Sequence, residues 1–117
     1  MHEGGPIQVI DLDAEVDHFV PDGASGRRSE TLVKTRDLRV VLVTMRAGTS
    51  LQEHSAPGTT TMHPLSGRFV FTAEGIAHEI APGDLISAGP GVRHAVQAIE
   101  DGAFLLTLAW HANASHD

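Results

Sequence analysis

The chain has 117 residues, 41% of them hydrophobic, with no cysteine and a formal net charge of −7. That length fits one domain and leaves no room for a second core, and the missing cysteines exclude disulfides, thiolate nucleophiles and cysteine-ligated zinc or iron–sulfur centres. The acid excess repels phosphate backbones and anionic lipid, which argues against nucleic-acid and membrane partners.

The start, Met1-His2-Glu3-Gly4-Gly5-Pro6, lacks the basic residues and apolar run of a signal peptide, so a cytoplasmic protein is expected. Residues 1–30 read as an irregular leader. Within it, Ile7 to Ile10 has the composition of a short edge strand, and Asp13 to Phe19 has room for one helical turn at most. The acids Asp11, Asp13, Glu15 and Asp17 read as solvated surface.

Residues 31–112 change character and are expected to form the folded domain. Thr31 to Thr35 is a β-rich run. Leu38 to Met45 is a nearly continuous apolar, β-branched run, as in a strand covered on both faces. Glycine and proline then recur at short intervals. They leave strand-sized segments at Thr59–Leu65, Arg68–Ala73, Ile76–Ala81, Leu85–Ala88, Val92–Ile99 and Ala103–Trp110. Short strands separated by glycine-rich turns mean an all-β sandwich or barrel. The last segment is apolar on both faces. Together with Leu38–Val43 it exceeds what one small barrel buries, so a homodimer is expected.

The chain is rich in histidine, the commonest metal ligand and a base near neutrality. Two histidines stand in motifs. Ala81-Pro82-Gly83-Asp84-Leu85-Ile86-Ser87-Ala88-Gly89-Pro90-Gly91-Val92-Arg93-His94 resembles the second motif of the cupins, with Gly83, Gly91 and His94 on the family's spacing. It departs at Gly89, where the family has proline, and at Ala98, where asparagine is common. Ala47 to His54 resembles the opening of the first cupin motif, and Leu65 to Arg68 its closing turn.

The resemblance, over residues 38–110, implies a cupin-type antiparallel β-barrel, also called a double-stranded β-helix or jelly roll. It implies a pocket shared by His54 and His94. Where the family carries its other first-motif ligands, a histidine and a glutamate, this sequence has Ala56 and Thr60.

A third metal ligand could come from His63, but strand parity sets His63 opposite Thr60 and Met62 unless a bulge near Pro64 shifts the register. His78 alternates with Ile76 and Ile80 and has a surface or interface position. The remaining pocket groups are expected to be Ala56, Thr60, Met62, Phe71 and Ala98.

Two functions follow. In one, His54, His94 and His63 hold a divalent iron, manganese, nickel, zinc or copper ion for an oxygenase or isomerase reaction. In the other, no metal is kept and the pocket binds a small organic ligand with an anionic or carbonyl end, as a binding or sensor protein.

Overall fold

The computed structural model describes residues 6–21 and 23–110. The expected domain end at residue 112, and His2, His111 and His116, lie outside the described residues. The described residues form one helix, α1 (Leu12–His18), and nine strands: β1 (Arg27–Lys34), β2 (Leu38–Met45), β3 (Ser50–His54), β4 (Thr60–Ser66), β5 (Phe69–Ala73), β6 (Ile76–Ile80), β7 (Ile86–Ala88), β8 (His94–Ala98) and β9 (Gly102–Ala109). Two antiparallel sheets face each other, one in the order β1-β2-β9-β4-β7 and the other β3-β8-β5-β6. No helix among the described residues is long and apolar enough to cross a membrane.

Alternation along the strands builds the core. Val43 and Met45 of β2, Met62 of β4 and Phe104 of β9 turn inward and meet Phe69, Phe71, Val96 and Ala98 from the opposite sheet. The Phe69 and Phe104 rings meet edge to face with centroids 5.2 Å apart. Their neighbours on the same strands, Leu42 and Ala103, turn to the outer face of the five-stranded sheet. There they join Leu32 in a second cluster, covered by Ile10, Leu12, Val16 and Phe19.

The leader is thus more ordered than its composition suggests. Asp11 caps α1 by accepting a hydrogen bond from the Ala14 N–H (3.1 Å), and Asp13 and Glu15 add negative charge to the first turn. Leu12, Val16 and Phe19 recur at helical spacing on the face that meets the sheet. The expectation of one turn falls short because seven residues hold too few repeats for a helical period to register. Ile7 to Ile10, by contrast, has no strand assignment.

A bulge tunes the faces of β1. In β1, Thr31 pairs with Val41 and Val33 with Val40, so Leu32 is an extra residue, and Leu32 and Val33 both reach the leader-side cluster. This second cluster covers part of the apolar runs in β2 and β9: the chain's own leader packs over the outer face at Leu42, Ala103 and Leu105, while Leu38, Val40 and Leu108 stay half-buried.

Candidate functional site

His54 and His94 come together as a cross-strand pair on β3 and β8, with ring centroids 4.4 Å apart and planes at 65°. Simple alternation would not do this. Leu51 pairs with Val96, so a regular ladder would set Glu53 opposite His94. The register shift between Leu51 and His54 inserts one residue and brings His54 into that place. Glu53 is turned outward instead, where it pairs with Arg93 at 2.9 Å on the surface. A backbone bond from Gly91 N–H to the Ala56 carbonyl (2.9 Å) ties the turn before His94 to the loop after His54.

The two imidazoles are oriented in the same way. His54 Nδ1 lies 3.0 Å from the Gln52 carbonyl and His94 Nδ1 lies 3.1 Å from the Val92 carbonyl, each two residues back. A carbonyl can only accept, so in both rings Nδ1 donates, and a neutral ring then carries its lone pair on Nε2. His94 is buried at 2% exposure and stacks on Phe71, with centroids 5.1 Å apart and planes at 17°. Among the described residues its Nε2 has no hydrogen-bond partner. Burial holds the His94 pKa below the ordinary histidine value; the Val92 carbonyl pulls it back up, and His54 lowers it further. His54 is the exposed member, so the pair runs from solvent into the interior.

The other expected pocket residues divide. Thr60 and Met62 are buried on the inward face of β4, and the Thr60 hydroxyl, like His94 Nε2, has no partner. Ala56 is half-buried in the loop that follows His54. Phe71 is the direct neighbour of His94. Ala98 is buried but stands four residues along β8 from His94, about 13 Å away at strand rise, beside Phe69.

His63 does not join the pair. It is exposed between buried Met62 and Pro64, on the outer face, because the irregularity in β4 comes between Pro64 and Ser66, after His63. His78 is exposed on β6, opposite Phe71, and His18 is exposed at the end of α1.

Sequence reasoning missed the two orienting carbonyls and the β3 bulge. The first depends on ring rotation and the second on pairing register, and neither has a residue-type signature.

The donor set does not fit a firmly held divalent ion. Among the described residues no three or more His, Cys, Asp or Glu side chains gather as a metal site. Two imidazoles and a neutral threonine hydroxyl fall short of the three protein ligands usual at a catalytic metal.

Comparison with known proteins places this geometry. The Cupin_2 profile, a cupin domain, matches residues 41–110. No curated protein matches the sequence. Among solved structures, a conserved protein of unknown function from Streptococcus pyogenes is 27% identical with a TM-score of 0.76, covering 92% of this chain and 91% of that one. A conserved double-stranded β-helix protein from Klebsiella pneumoniae is 23% identical with a TM-score of 0.73, covering 91% and 90%. Salicylate 1,2-dioxygenase from Pseudoaminobacter salicylatoxidans, solved as adducts with gentisate, is 19% identical with a TM-score of 0.69, covering 84% of this chain and 29% of that one. The profile spans more than half of the sequence and includes β3 and β8, the strands of His54 and His94, and on that match the chain belongs to the cupin family.

Proposed function

We propose that this protein binds a small organic molecule between its two sheets, without a resident metal, and recognises it through hydrogen-bond donors on the ligand. The observation that carries this is the shared orientation of the rings, which leaves a lone pair on each Nε2, that of His94 buried and, among the described residues, unpartnered. A lone pair accepts. The complementary ligand therefore presents hydroxyl, N–H or protonated acid groups, and an anionic or carbonyl end does not suit these imidazoles. Leaving a buried acceptor unpaired costs about 1–3 kcal/mol, which a donating ligand recovers on binding. The Thr60 hydroxyl, able to donate or accept, adds a third polar group on the inward face.

Thermal shift in chelator-treated buffer tests this with small diols against their methyl ethers. Diols should raise the melting temperature and ethers should not, and His94→Ala should erase the difference. Equal shifts from diols and ethers would end the proposal.

A second reading has one observation in its favour. A ring with Nδ1 on a carbonyl and Nε2 free is also how a metal-bound histidine is oriented. Under this reading a divalent ion is held only when ligand oxygens complete its shell, as oxygenase or isomerase chemistry would require. Diol shifts that appear only after metal is added would select it.

A further inference from the structure

We infer a second small-molecule site on the other side of the five-stranded sheet, in the cleft between the leader and the ends of β2 and β9. The cleft has a volume of about 360 Å³, within the range of small-ligand pockets. Val16, Phe19 and Val20 of the leader form one wall, and Thr44 of β2 lies on the sheet side. Three features mark it as a binding site and not a packing gap.

The first is Thr44. It pairs with Arg28 on one side and Ala103 on the other, and it points to the leader-side face that Ala103 shares. It is 3% exposed, yet among the described residues its hydroxyl has no hydrogen-bond partner. Within Val40-Val41-Leu42-Val43-Thr44-Met45 it is the only polar residue, at a place where valine has the same shape. A partnerless hydroxyl beside a cleft calls for a group that enters the cleft.

The second is Val20, which is 57% exposed at the cleft, an apolar wall with nothing packed over most of it. The third is the fixing of Phe19 by the Arg28 guanidinium, 4.8 Å from the ring centroid, which keeps the wall standing.

The lining chooses the ligand class. Asp17 and Arg46 bring opposite charges, and the Asp101 carboxylate already accepts from the Ala47 N–H at 2.8 Å. With two carboxylates against one guanidinium the lining is left acidic, which disfavours an anionic occupant. The occupant is a neutral organic molecule of about one ring, with an apolar body against Val16, Phe19 and Val20 and a single hydroxyl or carbonyl for Thr44.

Methyl-resolved NMR on the full chain tests this with phenol, toluene and benzoate as probes. Phenol should move the Thr44, Val16 and Val20 methyl signals saturably, with toluene about tenfold weaker and benzoate weaker still. Thr44→Val, which keeps the shape and removes the hydroxyl, should reduce phenol affinity to that of toluene. Val20→Trp, which fills the cleft from its exposed rim, should abolish binding of both while leaving the shifts near His94 unchanged. Three results would overturn the site: no saturable shift at these methyls, phenol binding unchanged in both variants, or phenol and toluene binding alike in the parent protein. The first of these, with Thr44→Val folding normally, would mean that water alone meets the hydroxyl.

Discussion

The two faces of the five-stranded sheet are made from the same strands and do different work. On the inner face, Val43, Met45, Met62 and Phe104 meet a second sheet whose strands are far away in sequence. On the outer face, Leu42 and Ala103 meet a seven-residue helix and its flanks. A helix that short is not stable alone in water, so the leader depends on the sheet for its order. The inner face, with the larger buried cluster, is expected to set global stability, and the outer face is expected to open first.

That asymmetry can be broken from either side. Phe104→Ala, at a fully buried inner position, should cost about 3–5 kcal/mol in denaturant unfolding and lower every probe together. Phe19→Ala, at a half-buried leader position, should cost about 1–2 kcal/mol. Its hydrogen-exchange losses should be confined to α1 and β1. A global loss of protection would show that the two faces form one unit.

The inner face also carries the pH dependence. Burial keeps the folded His94 pKa below the ordinary value of 6.5, so the unfolded chain binds this proton more tightly than the folded one. Stability should be full above about pH 6.5 and fall as the pH drops below it, and His94→Asn should flatten that fall. Diol binding should weaken in the same direction, because a protonated ring has no lone pair to offer. The smallest effect lies on neither face. The β5–β6 turn holds Glu74 at φ 53° and Gly75 at φ 76°, the mirror-image turn of a tight hairpin. Glu74→Asn, better suited to that backbone, should add about 0.5 kcal/mol and leave both sites unchanged.

How far the sequence could be read follows the same division. The strands of the inner core were legible because glycine and proline punctuate them and β-branched residues fill them, and the Gly83–His94 motif gave the family. Parity correctly set His63 against Thr60 and Met62, and the bulge that would have rescued it falls beyond it, between Pro64 and Ser66. The leader was under-read because its helix is two turns long and makes sense only against Leu32, Leu42 and Ala103. The apolar runs of β2 and β9 were read as covered on both faces; the leader supplies that cover at Leu42, Ala103 and Leu105, and a contact between elements so distant in sequence leaves no mark in either run. At the site, His54 and His94 were found by motif spacing, while the direction of their lone pairs was not. That direction depends on two backbone carbonyls, and every residue has one.

The extra residue in β3 gives the strand two frames. In the frame observed, His54 faces inward and the pocket holds a pair of imidazoles. Slipped by one residue, the same five letters, Ser50-Leu51-Gln52-Glu53-His54, would turn a carboxylate toward His94, a set suited to proton transfer or to gripping a cation. A one-residue insertion or deletion upstream of His54 would therefore change which side chain faces His94 without substituting any residue of the strand, an evolutionary route between a binding protein and an enzyme that substitution counts would not reveal.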